Sequence, residues 1–589
     1  MKKRSQIEEK FKWDKTALCK DSKDFEEKIE KINVFLPKFK KFIGKLDSKD
    51  AVWKYLKLDE QFEKEVEPAM LYIYLSRDEN LADGQNNKLY QKMSILLNKF
   101  SIETSPLSTQ IQKLPDQLLD EIIADKKFKD YRRDFEMIKK SKKHNLSDDQ
   151  EQLLSGMDFF GYSSVMRNLS DVDLKFDKIK DSKGRAYQFD QSKYSLYVRD
   201  SDRTLRKNAM ATLNGTFGKF VNTFAENYIN KVKADCYFAK VRHYDSALSQ
   251  ALFHEEVSEK VYHTLIEKVH ENLPVLFKYF DLKKKALGLK DFYIYDCMAD
   301  ISSKKREKYS YDEAIELLKK ALAPLGEEYV SLLERAKTER WIDVFPNENK
   351  RSGAYENAIF DAHPFVLTNF EGDLESVFTL AHELGHAMHT YFSNKSQPRA
   401  LAQYTIFLAE IASTTNEMLL LSYLLDRAEG KEKVKLYNKL FDMVKSTIFR
   451  QAMFAEFEEK IHSLQEASQP LTKDLLCEEY LNLNKLYFGK VKLIKEIQYE
   501  WARIPHFFTE FYVYKYATGL ICAINFANRI LSGQKGALED YFKFLSAGSS
   551  DTPCNILKES GCDLEGGKAY EVAFDFLKSI LSDWQKEMK

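Results

Sequence analysis

The chain has 589 residues, 44% hydrophobic, 13% aromatic and 31% charged, the balance of an ordinary globular protein with room for two or three domains. Lysine plus arginine and aspartate plus glutamate number 91 each, so net charge gives no reason to expect a nucleic acid or an anionic membrane as partner. Only 21 glycines and 12 prolines interrupt it, which points to a mainly helical fold.

The N-terminus, MKKRSQIEEKFKWD, is basic but is followed by no apolar stretch, so no secretion signal is expected and the protein is placed in the cytoplasm. The seven cysteines form no CxxC pair and fit reduced thiols there. From 24 to 46, Phe25, Ile29, Ile32 and Phe35 recur at helical spacing, and 50–80 continues the pattern. The basic run KKSKKHN (139–145) reads as solvated surface. At 183–198, Gly184 and alternating apolar residues predict a small β-hairpin or irregular connector. A helix restarts near 202, so a boundary is expected between an N-terminal helical lobe, 1–200, and the remainder, 201–589. Helices then dominate to about 340. The segment SGAYENAIFDAHPFVLTNFEG (352–372) breaks the helical period and reads as one or two strands. The apolar stretches MLLLSYLL (418–425) and GLICAINFA (519–527) are too short to span a bilayer and read as core helix, so no membrane is expected.

Directly after the predicted strands comes FTLAHELGHAMHTYFS (378–393). Residues four apart share one helix face, so His382 and His386 can present two imidazoles to one zinc ion. Glu383 is turned by about 100° around the helix. There it cannot join both histidines as a ligand, but it can act as a general base beside the site. Val377, Leu380, Leu384 and Met388 make a buried stripe, and Gly385 leaves room for a neighbouring element. A catalytic zinc takes three protein ligands. The next predicted helix, 401–425, carries Glu410 and Glu417 among apolar residues, where an unpaired carboxylate is costly. They lie about 10.5 Å apart along the axis, so one is expected as ligand (Glu410) and the other, Glu417, as the partner that orients a ligand histidine. A turn at NKSQPRA (394–400) would bring this helix back beside the first.

These motifs, with RIPHFFTEFYVYKYATG (503–519), FLSAGSSDTPCNILKESGCDL (544–564) and the opening WDKTALCKDSKDFEEKI, resemble the oligoendopeptidase F group of the thimet-oligopeptidase-like (M3) zinc metallopeptidases over essentially the full chain. The resemblance implies one Zn2+ per chain held by His382, His386 and Glu410, with Glu383 as base. It implies a mainly α fold of two helical lobes around a deep substrate channel, a small β-sheet near the zinc site, and a catalytic domain over 201–589. The substrates would be short unfolded peptides, cut at internal bonds. His506, Tyr512 and Tyr514 match the family's second catalytic region, as donors to the oxyanion of peptide hydrolysis. Phe507-Phe508 stands where the family's pattern has a tyrosine, which leaves open which hydroxyl acts. SGAY (352–355) would be an edge strand that an extended peptide could join. His389 reads as a buried histidine near the site, and His363 as a residue near the substrate side. Two competing readings are a helical zinc carboxypeptidase and a non-catalytic peptide-binding protein; the intact set His382, Glu383, His386, Glu410 and His506 argues against the second.

Overall fold

Periodic burial builds the N-terminal helices. Phe25, Ile29 and Ile32 all face inward on α1 (Ser22–Asn33), whose N-cap Asp21 accepts from the amides of Lys23 and Asp24. The helix expected to run on to residue 46 stops at Asn33, and a short turn of helix, Leu36–Lys40, follows with Pro37 in its first turn. Then come two long helices, α2 (Lys49–Glu79) and α3 (Gly84–Gln112), which close an apolar core with α1. The computed structural model describes residues 2–155, 161–301 and 308–588. Helices account for 71% of the molecule. Among the described residues the only sheets have two and three strands, which is the mainly α class expected, and none of the described helices is long and apolar enough to cross a membrane.

The chain packs as two units. One comprises Met1–Lys143, Lys305–Leu420 and Gly533–Asp551; the other comprises His144–Lys304, Leu421–Ser532 and Thr552–Lys589. A partition by packing is therefore discontinuous in sequence, unlike a single cut near residue 200.

In the first unit, β1 (Ile342–Asp343), β2 (Tyr355–Asn357) and β3 (Phe365–Leu367) form a small sheet in the order β1-β3-β2. β3 runs parallel to β1 and antiparallel to β2, with Glu356 opposite Val366. Central β3 is wholly buried and packs with Trp13, Leu18, Leu71 and Leu75. The Trp13 indole donates to the Val366 carbonyl at 2.8 Å. Buried Lys350 caps the sheet: its ammonium donates to the carbonyls of Asp343, Phe345 and Thr368 and pairs with the Asp343 carboxylate at 2.7 Å. β2 is one of the two edge strands, and it begins at Tyr355, so of the stretch 352–355 expected as an edge strand only its last residue is in the strand.

Asp373 caps α5 (Leu374–Ser396), which follows α4 (Gly326–Thr338) and the sheet; its side chain accepts from the Ser376 amide. The expected stripe of Val377, Leu380, Leu384 and Met388 is buried on it. A tight connector leads to α6 (Ile406–Leu425). The Ser393 hydroxyl donates to the Ala402 carbonyl at 2.5 Å, and the Ser549 amide to the Leu401 carbonyl at 2.8 Å. Gly548, with φ +52°, lies against that same carbonyl, where a side chain would collide. The SAGSS motif thus pins the connector.

In the second unit, the expected hairpin at 183–198 is displaced. The paired strands are Ile179–Lys180 and Ala186–Tyr187, turned by Asp181 and by Gly184 at φ +77°. Residues Gln191–Val198 form a helix instead, because Asp190 caps it through the Lys193 amide. Further on, α7 (Gly430–Val444) and α8 (Arg450–Glu466) are joined by a π-helical turn at Lys445–Phe449. The nearly wholly buried α9 (Tyr514–Leu531) packs against the last helix, Lys568–Glu587. All seven cysteines are free.

α5 and α6 approach most closely at Gly385. A methyl group there would stand 2.4 Å from Ser413 Cα and 2.8 Å from the Ala412 oxygen. Gly385→Ala is therefore expected to cost about 1–3 kcal/mol by forcing the helices apart and to weaken metal binding with it. Denaturant unfolding together with metal titration checks this; an unchanged midpoint and affinity would show that the helices separate freely.

Candidate metal centre

The α5–α6 contact decides which side chains meet. Asn416 donates to the Ala381 carbonyl at 3.0 Å and accepts from the Tyr329 hydroxyl at 2.8 Å. With the helices locked in this register, Glu410 sits opposite His382 and His386. The two histidine Nε2 atoms are 3.2 Å apart, and Glu410 Oε2 lies 3.3 Å from His382 Nε2 and 3.6 Å from His386 Nε2. Among the described residues these three form the only such group of potential metal ligands.

These spacings test the fit to a metal. Ligands held about 2.0–2.2 Å from a tetrahedral zinc ion stand about 3.3–3.6 Å from one another, and the three distances fall along such edges. Two imidazole nitrogens facing each other at 3.2 Å also need a proton or a cation between them. The donor set of two imidazoles and one carboxylate suits zinc.

Further contacts hold these three side chains in place. His382 Nδ1 donates to Glu417 Oε1 at 2.5 Å, which turns Nε2 toward the ligand cluster. His386 is hydrogen-bonded to the backbone of Ala409, and the Ser413 hydroxyl reaches Glu410 Oε2 at 3.3 Å. Burial opposes a charge on His382, but its hydrogen bonds with Glu410 and Glu417 raise it to about 10. Burial and the charge on His382 push His386 down to about 4. Burial would raise Glu410, yet the hydrogen bond to His382 and both imidazoles hold it at about 2. A metal bound here therefore displaces the His382 proton.

Glu383 does not join this cluster. It is 7% exposed, and burial, reinforced by Glu410 and Glu417 against the opposing pull of His382, pushes it up to about 7. It borders a cleft of about 560 Å³ in the first unit, together with His382, Phe378, and Gly353 and Ala354 just before edge strand β2. A carboxylate poised near neutrality beside a candidate metal position, on a cleft, is suited to moving a proton to and from a peptide bond.

His389, one turn past His386, is fully buried. Its ring stacks on Tyr404 at 3.7 Å and lies 4.8 Å from Phe544, neither ring nitrogen has a hydrogen-bond partner, and burial pushes it down to about 3. It acts as a neutral packing ring. His363 stacks flat on Trp341 and bonds the Pro364 carbonyl. Sequence reading passed over Glu356 on β2. Burial raises it to about 8, and its carboxyl meets Thr390, whose hydroxyl is 2.8 Å from that of Tyr404. The signal was an acid at the centre of a strand too short to show a period.

In the second unit, His506 lies on the short helical turn Pro505–Phe508 and is half-buried, which lowers its pKa and keeps it neutral. Phe511 adopts φ +48°, and its amide is held by Glu458 at 2.8 Å. This strained reversal returns Tyr512 to His506, with rings nearly parallel at 6.3 Å; Tyr516 approaches edge-on at 6.0 Å. The two tyrosines named as candidate donors, Tyr512 and Tyr514, face different surroundings. Tyr514 is fully buried at the start of α9, with its hydroxyl 3.4 Å from Glu255. Neighbouring residues on a turn entering a helix face different ways.

Residues 196–576 match the profile of Peptidase family M3, and residues 110–176 match that of Oligopeptidase F. The chain belongs to peptidase family M3. This M3 peptidase is 34% identical to oligopeptidase PepF of Bacillus subtilis, over 99% of its own length and 88% of PepF. It superposes on the Enterococcus faecium oligoendopeptidase-F with a TM-score of 0.71 at 30% identity, covering 96% of this chain and 99% of the other. A Chlamydophila abortus protein solved as a provisional peptidase matches with a TM-score of 0.95 at 34% identity, covering both chains fully.

Glu417→Ala is expected to weaken metal affinity by about 10–100-fold, since His382 loses the partner that orients it. Competition with a chelator of known affinity measures this. Unaltered affinity would mean that packing alone aims the ring.

Proposed function

We propose that this M3 peptidase is a zinc-dependent oligoendopeptidase that hydrolyses internal bonds of short, unfolded peptides, with His382, His386 and Glu410 as the metal ligands and Glu383 as the base. The observation that carries this reading is the set of three ligand-atom spacings along the edges of a zinc tetrahedron, with Glu383 beside it on a cleft that Gly353 and Ala354, just before β2, help to line. The names of the relatives, oligopeptidase and oligoendopeptidase, support the substrate class.

Bound at these ligands, zinc would supply Lewis-acid polarisation of the scissile carbonyl and lower the pKa of water. The chain's own residues do the rest. An extended peptide aligns along β2, where the sheet edge offers backbone groups. Glu383, as carboxylate, takes a proton from the attacking water at its side-chain oxygen and passes one to the leaving amine. Its raised pKa suits both halves of this transfer, because a carboxyl near neutrality is a better base than a free glutamate and still gives the proton up. Glu417 keeps His382 aimed throughout. His506 and Tyr512 are assigned, by the resemblance of their motif, as hydrogen-bond donors to the developing oxyanion. Tyr514, engaged with Glu255, serves that region by anchoring α9.

A peptide blocked at both ends and internally quenched is expected to be cut at an internal bond, with cleavage abolished by a chelator and restored by zinc. Cleavage only of peptides with a free C-terminus would make the enzyme a carboxypeptidase. Glu383→Gln is expected to retain zinc and lose about 10²–10⁴-fold in kcat. In the parent enzyme kcat/KM is expected to fall as pH drops through the Glu383 titration, since the protonated carboxyl cannot accept; full turnover in Glu383→Gln would remove it from the mechanism. For His506→Ala, kcat is expected to fall about 10²–10³-fold with little change in KM. An effect confined to KM would make His506 a binding residue instead.

A further inference from the structure

The buried acid Glu458, on α8, has no part in peptide hydrolysis as described, yet it stands where the chain passes from His506 to Tyr512. The stretch from Thr509 to Val513 joins the short helical turn Pro505–Phe508 to α9. The Thr509 amide closes that turn on the His506 carbonyl at 2.9 Å. Beyond it, side chains of two other helices of the second unit, α8 and Val221–Val241, hold the chain. Lys231 donates to Glu510 Oε2 at 2.7 Å and also pairs with Asp235. The Phe511 amide donates to Glu458 Oε1 at 2.8 Å. His462, one turn further along α8, donates from Nδ1 to the Glu458 carbonyl at 2.8 Å and meets Asp235 at 3.3 Å. Its ring lies 4.7 Å from that of Phe511, which Tyr262 packs against at 5.9 Å.

The backbone needs this hold. Phe511 has φ +48°, in the left-handed region that a bulky side chain rarely enters. Such a conformation persists only where its surroundings over-determine it. A return to negative φ would swing Tyr512 out of its nearly parallel placement 6.3 Å from the His506 ring. Glu458 is also a costly way to fill a core. It is fully buried, and its Oε2 has no hydrogen-bond partner. A half-satisfied buried carboxyl lowers stability where an apolar side chain of that size would not. Packing gives no reason for a carboxyl at this position; the Phe511 amide does.

We propose that Glu458 is a positioning residue for peptide hydrolysis: by holding the Phe511 amide it keeps Tyr512 beside His506. This rests on the assignment of His506 and Tyr512 as donors to the oxyanion. Glu458 acts only through the backbone that it holds.

Steady-state kinetics of the zinc-loaded full chain on the quenched peptide test this. Glu458→Leu, similar in size but without an acceptor, is expected to lower kcat about 10–100-fold with little change in KM. Glu458→Asp keeps the carboxylate but withdraws it from the amide by one methylene, and a similar loss is expected. Glu458→Gln still offers Oε1 and is expected to recover most of the kcat that Glu458→Leu loses. In the double variant Glu458→Leu, His506→Ala, kcat is expected to stay near that of His506→Ala alone, because residues that act as a unit are not additive. Circular dichroism and zinc content check that the variants fold and load; where Glu458→Leu does not fold, Glu458→Asp against Glu458→Gln decides. The proposal is overturned if folded Glu458→Leu or Glu458→Asp keeps the parent kcat while His506→Ala does not, if Glu458→Gln is as impaired as Glu458→Leu, or if the losses multiply in the double variant. If His506→Ala itself keeps full kcat, the oxyanion assignment fails and the positioning role with it; faster amide exchange over 505–513 in Glu458→Leu would then mark Glu458 as a structural clamp alone.

Discussion

The contact between α5 and α6 at Gly385 is the constraint on which the metal centre rests. With no side chain at 385, the backbone of Ala412 and Ser413 can lie directly against α5. The Asn416 bond to the Ala381 carbonyl then fixes the register. One residue of slip along α6 would carry Glu410 about 1.5 Å along the axis and rotate it by about 100°, out of reach of both histidines. A small residue, a buried amide and a short connector pinned by Gly548 thus determine a ligand set that neither helix contains alone.

Burial then gives each titratable group its chemistry. The carboxylates at 383, 410 and 417 stand near one another, yet their partners differ. Glu410 meets both imidazoles and is held ionised, whereas Glu383 meets mainly apolar surroundings and like charges and is pushed toward neutrality. A ligand should stay charged, and a proton carrier should be able to hold its proton and lose it. The two proposed roles would follow from this difference of environment. His382 and His386 diverge for the same reason: one lies against two carboxylates, the other beside a charged ring.

Much of this was legible in the sequence because it is local. His382 and His386 are four apart on one helix, the apolar stripe fixes which way that helix faces, and a carboxylate in an apolar helix calls for a partner. Glu417 could be read in this way as the support for a histidine, and it lies 2.5 Å from His382 Nδ1. The tyrosines were not legible. Tyr512 and Tyr514 are two apart in an aromatic run, and only the strained backbone at Phe511 sends one toward His506 and the other toward Glu255. Glu356, Thr390 and Tyr404 come from a strand, a helix and a connector, and no sequence period links them. The hairpin at 183–198 was misplaced because alternating apolar residues were read without weighing Asp190 as a helix cap.

The sequence by itself determined a mainly helical chain, a helix that presents two candidate metal ligands and a candidate base, and a pair of acids on the following helix, since these are properties of spacing and composition within single elements. The tertiary structure decided which acid meets the histidines and which tyrosine stands by His506. Those outcomes depend on the register and close approach of elements distant in sequence, and a difference of about one residue's rise along a helix is enough to change them.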